Sequence, residues 1–110
     1  TDPHSSDKVS VGALAFDFGK MEYFKNGKPI ILSKTEQKLL RILVANTGSI
    51  LTREQLIDKI WSQEADFVDE NALTVAVKRL RAKIEDDPSS PEYIQTVYGL
   101  GYRWTERQQP

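Results

Sequence analysis

The sequence predicts an α+β domain in which an antiparallel sheet is followed by three helices and a β-hairpin. Residues 9–32 alternate apolar and polar side chains, as strands with one buried face do. From Ser33 onward the apolar residues recur at helical spacing, and residues 94–105 return to β-branched and aromatic residues around two glycines. Since 110 residues suffice for one modest core, we expect a single domain.

The domain is expected to cover residues 9–106. The polar stretch 1–8 is interpreted as a linker or cloning remnant, and 107–110 as a tail. The chain does not begin with Met, so we expect it to be a piece of a longer protein. No apolar run approaches the length of a membrane span and no signal peptide precedes the fold, which favours a cytoplasmic protein.

The first predicted element is a β meander over residues 9–32. Asn26-Gly27 between two extended runs is a strong signal for a two-residue hairpin turn. Pro29 fits only a strand start or an edge strand. The alternating apolar residues of the first run are Leu14, Phe16 and Phe18.

A first helix is predicted after Ser33. Ser33 and Glu36 form a capping-box pattern, and Gly48 is the expected C-cap glycine. The apolar residues of this helix are Leu39, Leu40, Leu43 and Val44.

A second, shorter helix follows a candidate strand at residues 49–51. Thr52 and Gln55 form the second capping-box pattern. One face of the helix carries Leu56, Ile57, Ile60 and Trp61. A polar, acidic connection at 62–68 then leads to the third helix.

The third helix is expected over about 69–85, with Asp69 as its N-cap. At 100° per residue, its buried stripe consists of Leu73, Val77, Leu80 and Ile84. The opposite side carries Asn71, Val75, Lys78 and Ala82, flanked by Thr74 and Arg79. Arg81 and Lys83 lie at the boundary, from which they can extend towards a neighbouring surface.

The composition of this outward face suits the DNA major groove. Small residues let the backbone approach, Lys and Arg reach phosphates and guanine edges, and Asn can pair with adenine. Net charge is only −1, but the charge is sorted: residues 64–70 hold four acids and no base, and 71–84 hold four bases and no acid. The alternative is an ordinary solvated basic face.

The terminal hairpin is predicted from Gln95–Tyr98 and Tyr102–Trp104, with Gly99 and Gly101 supplying positive φ at the turn. A hairpin after a helix-turn-helix unit is the wing of a winged helix-turn-helix fold. The hydroxyls of Thr96, Tyr98 and Tyr102 are candidate donors to phosphate oxygens, although strand alternation need not place all three on one face. For Trp104 we expect core packing.

An enzyme is not expected. The chain has no cysteine, so disulfides and thiolate metal sites are excluded, and its one histidine lies in the N-terminal stretch. No arrangement of residues meets the requirements of an active site. No cofactor or metal is expected.

The chain resembles the effector domain of OmpR/PhoB-family response regulators. The resemblance covers roughly residues 12–105 and is carried, in order, by "LSKTEQKLLRILVANTGSILTREQLIDKIW", "VDENALTVAVKRLRAKIEDD" and "IQTVYGLGYRW". It implies a four-stranded N-terminal antiparallel sheet, a three-helix core and a C-terminal wing. It also implies an upstream receiver domain phosphorylated by a sensor histidine kinase, in a two-component phosphorelay, and head-to-tail dimers on direct-repeat DNA sites.

The resemblance also implies DNA contacts at particular positions. On the recognition helix these are Asn71, Ala72, Ala76, Lys78, Arg79 and Arg81, and on the wing they are Thr96, Tyr98 and Tyr102. Many members have Arg at the positions of Asn71 and Tyr98, and many have a larger polar residue at that of Ala76. The arginine before the first wing glycine commonly enters the minor groove, so Tyr98 departs from the pattern.

The connection at 62–69 touches RNA polymerase in activators of this family. By that resemblance Glu64, Asp66 and Phe67, with Asp69, form a possible polymerase contact. The alternative is an exposed loop that caps the third helix.

Together these observations predict sequence-specific binding of double-stranded DNA in transcription regulation. Two alternatives remain: a winged helix used only for protein contacts, and a one-component regulator without a phosphorylated receiver.

Overall fold

The computed structural model describes residues 8–61 and 70–105. The N-terminal half of this region contains β1 (Lys8–Val11), β2 (Leu14–Asp17), β3 (Glu22–Lys25), β4 (Lys28–Ile30), α1 (Lys34–Ala45) and β5 (Ile50–Thr52). The C-terminal half contains α2 (Arg53–Trp61), α3 (Glu70–Ile84), β6 (Ile94–Val97) and β7 (Gly101–Trp104). We call β6, β7 and the turn between them the wing. The fold is a winged helix-turn-helix, which confirms the predicted class.

The first four strands form an antiparallel sheet in the order β1-β2-β3-β4. At the predicted turn between β3 and β4, Asn26 and Gly27 have φ of +55° and +78°, as a type I′ hairpin requires. Pro29 lies on β4, an edge strand, as expected. The alternating residues Leu14, Phe16 and Phe18 are all buried, so this sheet packs one face on the core.

Both predicted capping boxes are present. The Ser33 hydroxyl accepts from the Glu36 N–H at 3.2 Å, while the Ser33 N–H donates to the Glu36 carboxylate at 3.0 Å. Thr52 and Gln55 make the equivalent pair of bonds, at 2.9 and 3.1 Å. These bonds satisfy backbone donors that a helix start would otherwise leave unpaired, so both helices begin where the sequence places them.

The end of α1 differs from the prediction. Its C-cap is Asn46, whose backbone N–H donates to Leu43 O and whose amide donates to Ile42 O at 2.8 Å. Gly48 lies two residues further on, has φ of +85° and donates its N–H to Trp104 O at 2.9 Å. The expected C-cap glycine therefore turns the chain towards the wing after the helix has already ended.

The candidate strand between the first two helices exists and extends the wing. Strands β5, β7 and β6 form a second antiparallel sheet in that order, with Leu51 opposite Tyr102. The wing strands begin one residue earlier than predicted, at Ile94 and Gly101.

The two wing glycines have different roles, which corrects the prediction that both supply positive φ. Gly99 has φ of +79° and turns the chain, whereas Gly101 is not in the positive-φ region. A Cβ on Gly101 would lie 2.0 Å from Leu51 O. Gly101 is therefore required because β5 passes too close for any side chain.

The predicted buried stripe of α3 lies in the core. Leu73, Val77, Leu80 and Ile84 are all buried, and each such side chain contributes roughly 1.5–3 kcal/mol of transfer free energy. Trp104 is fully buried, as expected, and stacks on Tyr93 with ring centroids 5.4 Å apart. The stripe fixes which face of α3 points outward. Within residues 8–61 and 70–105, every helix is too short or too polar to cross a bilayer.

Candidate nucleic-acid interface

The outward face of α3 presents polar and basic side chains to solvent. Asn71, Thr74, Lys78, Arg79 and Ala82 are exposed and Val75 is half-buried. Because the opposite stripe is anchored in the core, this face is held at a fixed orientation. The side chains it presents include hydrogen-bond donors of the kinds that contact base edges and phosphates.

The charge of this face is of one sign. From Asn71 to Ile84 the sequence contains no acid, and Lys78 and Arg79 are the bases that lie exposed on the face. Two neighbouring exposed cations in a stretch of helix without acids are suited to a polyanion.

Arg81 points to the wing instead of to solvent. Its guanidinium donates to Ile94 O at 2.7 and 3.2 Å and to the Thr96 hydroxyl at 2.7 Å. It also lies 5.7 Å from the centre of the Tyr102 ring. Arg81 therefore holds the wing, and in the free domain its guanidinium is occupied by these bonds.

Glu85 holds the same strand at the same residue, Ile94, and was not found by sequence reasoning. It is a buried carboxylate that accepts the N–H groups of Glu92 at 2.8 Å, Tyr93 at 3.0 Å and Ile94 at 2.9 Å. Its spacing of four residues from Arg81 was the available signal, since residues i and i+4 share a helix face. Arg81 and Glu85 together bind both backbone groups of Ile94.

Lys83 reaches a neighbouring helix, as its boundary position suggested. Its ammonium donates to the buried Glu36 carboxylate, which also closes the α1 capping box. Burial acts to raise the pKa of Glu36, but the hydrogen bonds from Lys83 and Ser33 and the Lys83 charge outweigh it and lower the pKa below its usual value. This ion pair joins the last turn of α3 to the start of α1.

Tyr102 is buried, with 6% of its surface exposed, so its side chain is part of the core and not of the outer surface of the wing. Its hydroxyl accepts a hydrogen bond from Arg53 Nη1 at 2.9 Å. Strand alternation gives the reason, because Tyr102 lies opposite Leu51 on the inner face of the second sheet.

Arg53, the first residue of α2, is the second residue that sequence reasoning missed. Its Nη2 donates to the Thr74 hydroxyl at 2.9 Å, so one guanidinium contacts both α3 and β7. The only local sign was its place directly after the capping Thr52, which says nothing about partners distant in sequence.

The wing tip is exposed and uncharged. Tyr98 is 92% exposed and Leu100 53% exposed, and they flank the turn glycine Gly99. No charged residue occurs from Gln95 to Tyr102. The tip borders a groove of about 270 Å³ that Arg53 also lines. Thr96 is exposed on the same arm, with its hydroxyl bonded to Arg81.

A second groove runs along the other edge of α3. It has a volume of about 560 Å³ and lies between the start of α1, the end of α2 and α3. Its polar lining includes Ser33, Thr35, Asn71 and Arg79. Ala72 and Ala76 also line this groove, but Ala76 is buried and offers little surface.

The suggested polymerase contact, Glu64, Asp66 and Phe67, lies outside the described residues, as does the expected N-cap Asp69. Among residues 8–61 and 70–105, no group of His, Cys, Asp and Glu side chains is arranged to hold a metal ion.

Residues 27–104 match the family described as the C-terminal domain of transcriptional regulatory proteins. The chain is 46% identical to the sensory transduction protein RegX3 of Mycolicibacterium smegmatis over 96 residues, which is 86% of this chain and 41% of RegX3. It is 40% identical to the transcriptional regulatory protein YcbL of Bacillus subtilis over 105 residues, 96% of this chain and 46% of YcbL. The chain thus spans about half the length of these curated relatives.

Two solved structures share the fold. The response regulator DrrB of Thermotoga maritima, an OmpR/PhoB homologue, superposes with a TM-score of 0.84 at 37% identity, over 90% of this chain and 44% of DrrB. The DNA-binding domain of Klebsiella pneumoniae RstA, solved in complex with the RstA box, superposes with a TM-score of 0.77 at 28% identity, over 89% of this chain and 96% of that domain.

Proposed function

We propose that this chain, which belongs to the OmpR/PhoB-type family of C-terminal domains of transcriptional regulatory proteins, places α3 in the major groove of double-stranded DNA and the wing beside it. Transcription regulation by DNA binding is the function of the family. The groove assignment, the contact residues and the arrangement on DNA are our proposal.

The outward face of α3 is the observation that carries this proposal. Lys78 and Arg79 are exposed on a helix face without acids, and the buried stripe behind them prevents the helix from rotating away. In the proposed complex Arg79 reads a purine edge, Lys78 binds phosphate, and Asn71, Thr74 and Val75 line the groove.

The wing supplies the second contact. Tyr98 extends from its tip, and the Tyr98 hydroxyl is a donor for phosphate or sugar oxygens. Thr96, which is exposed on β6, is a second proposed contact of the wing with DNA. Arg81 and Tyr102 act indirectly. Arg81 fixes β6 through its hydrogen bonds to Ile94 O, and the Tyr102 side chain is buried in the core below the wing.

The greater length of the relatives supports a larger assembly around this domain. We propose that a receiver domain precedes this domain in the full protein, that a sensor histidine kinase phosphorylates it, and that two copies bind direct repeats head to tail in the cytoplasm. RNA polymerase is the proposed partner of the 62–69 connection. A one-component regulator without phosphorylation is the alternative arrangement.

A second candidate function is protein contact without DNA, and the exposed apolar tip of Tyr98 and Leu100 favours it. The two candidates differ in their response to salt. Lys and Arg contacts to phosphate release counterions, so DNA affinity falls steeply as salt rises, whereas an apolar protein contact responds weakly.

The test is selection of this chain against a random duplex pool, followed by a salt titration on the enriched sequences. We expect a short motif repeated in one orientation about 10–11 base pairs apart, one turn of duplex. A variant carrying Lys78→Ala and Arg79→Ala is the negative control. A variant carrying Lys28→Ala and Lys59→Ala, two exposed bases outside α3, is the matched charge control. Absence of enrichment even at low salt would favour protein contact.

A further inference from the structure

Arg53 lies between the two parts of the proposed DNA-binding surface. Its guanidinium donates to Thr74 on α3 and to Tyr102 on β7, both at 2.9 Å, and lies 5.9 Å from the centre of the Tyr102 ring. Its backbone N–H donates to Leu100 O in the wing turn at 3.3 Å. One residue thus contacts the recognition helix, the inner wing strand and the wing turn.

We infer that Arg53 is a positioning residue that sets the distance and angle between α3 and the wing tip. The inference rests on the proposed function, because the geometry matters only if helix and tip bind the same DNA. It extends that function, because the relative position of the two DNA contacts, α3 and the wing tip, is then set by a residue of α2 that belongs to neither.

The wing is held at its base and again near its turn, where Arg53 adds side-chain and backbone bonds to the pairing of β5 with β7. Arg81 and Glu85 secure Ile94, at the base of β6. Arg53 acts beyond that point, at Tyr102 and Leu100, close to the turn that carries Tyr98. A hairpin fixed only at its base can pivot, and a second attachment near its tip restricts that motion.

The chemistry of the attachment requires arginine. The guanidinium is a planar fork of donors in fixed geometry, so two of its nitrogens can reach two acceptors that lie on different elements. A lysine ammonium at this site retains the charge, but its three N–H donors are on one nitrogen, which cannot replace two separate nitrogens that reach two elements. Arg53→Lys therefore removes the bridge between Thr74 and Tyr102 while it keeps the positive charge.

The first arm of the test measures geometry without DNA. The chain has no cysteine, so spin labels can be placed specifically at Ala82→Cys on α3 and Leu100→Cys on the wing, both exposed. We expect Arg53→Lys and Arg53→Gln to broaden the distance distribution between the labels, with Lys59→Gln as the surface control that leaves it narrow. Thr74→Val and Tyr102→Phe each remove one acceptor with little change of shape and should broaden it partly. An unchanged distribution in all four variants would overturn the inference.

The second arm measures affinity for the enriched duplex at several salt concentrations. If Arg53 bridges helix and wing, Arg53→Lys should reduce the affinity for the duplex roughly tenfold, which is the scale of one charge-assisted hydrogen bond. The slope of log affinity against log salt should stay unchanged. The loss should also be less than additive with Thr74→Val or Tyr102→Phe, because these variants remove the same bridge. Full affinity in Arg53→Lys, with a salt slope reduced by about one in Arg53→Gln, would identify a direct phosphate contact and overturn the positioning role.

The two arms separate the inference from the function beneath it. If no duplex is enriched, the proposed function fails, yet the distance measurement still decides whether Arg53 holds the wing. If duplexes are enriched and the distances stay narrow, the function stands and the inference fails.

Discussion

The recognition helix and the wing tip present opposite chemistry on neighbouring surfaces. The helix face carries Lys78 and Arg79 with no acid beside them, whereas the wing tip carries Tyr98 and Leu100 with no charge at all. The helix face is supported by a continuous buried stripe, and the tip is an exposed turn held through Arg53 and the second sheet.

Under the proposed function, this difference predicts a division of labour in DNA binding. We expect the electrostatic part of the affinity to come from α3, since only charged side chains release phosphate counterions. We expect the tip to contribute contact area and a hydroxyl, whose effects depend on its position more than on the ionic strength. The predictions below test this division, beginning with the largest expected effect.

The largest expected effect is the loss of stability when a side chain is added at a wing glycine, which tests how the wing is attached to β5. Gly101→Ala should destabilise the fold by about 4 kcal/mol or more, because its Cβ would lie 2.0 Å from the backbone oxygen of Leu51. Gly99→Ala, where nothing lies within 4 Å but φ is +79°, should destabilise by only about 1–2 kcal/mol. Urea unfolding of both variants measures this, and equal effects would mean that β5 does not hold the wing.

Arg79→Ala tests base reading by the helix. We expect a loss of about 1–3 kcal/mol in specific binding, with relaxed preference at one base position. The measurement is titration of the enriched duplex and of its single-base variants. A loss below a few tenths of a kcal/mol on every duplex would remove Arg79 from the interface.

Lys78→Ala tests the electrostatic role of the helix. Binding should weaken similarly on all sequences, and the slope of log affinity against log salt should fall by about one. Arg79→Ala at matched salt concentrations is the comparison. A loss confined to one base position would make Lys78 a reader.

Tyr98 tests the uncharged wing tip. Tyr98→Ala should reduce affinity while leaving the salt slope unchanged, and Tyr98→Phe separates the hydroxyl from the ring. Tyr98→Arg should steepen the slope by about 0.9, the increment of one added phosphate contact. If Tyr98→Ala flattened the slope instead, the helix would not be the only source of ionic contacts.

The Lys83–Glu36 ion pair, which joins α3 to α1, should weaken in acid and so lower the stability of the fold. This is the smallest of the expected effects. The folded pKa of Glu36 is lowered, with burial opposing and Lys83 and Ser33 causing the shift, so its contribution to stability is complete above the ordinary carboxyl pKa of 4.5. It is lost as the pH falls below that value and through the folded pKa. Glu36→Gln should show less of this acid-dependent loss in urea unfolding between pH 7 and 3. Glu54→Gln, on the exposed side of α2, should retain the loss.

Local patterns predicted the elements well. The capping pairs at Ser33 and Thr52 and the Asn26-Gly27 turn depend on residues within four positions of each other, and each was confirmed. The wheel of α3 was equally reliable, because helical periodicity alone determines which residues share a face.

Residues whose roles depend on distant partners were the ones misread. Gly101 is explained only by the approach of β5, and the burial of Tyr102 only by its pairing with Leu51. Arg53 looks like an ordinary surface base in the sequence, and for Arg81 the boundary position predicted contact with a neighbouring surface but not its partner; both act across elements. No periodicity carries this information, since it depends on how the elements pack.

The pairing of β5 with β7 also has a consequence for the order of folding. Strand β5 precedes two of the helices, and β7 follows every other described element, so the contact between Leu51 and Tyr102 closes a loop of about half the chain. Closing long loops slows folding, and contacts distant in sequence form late. During synthesis from the N-terminus, α3 emerges before β7, the central strand of the second sheet. We therefore expect α3 to form before the wing takes its position, because that position depends on the pairing of β7 with β5.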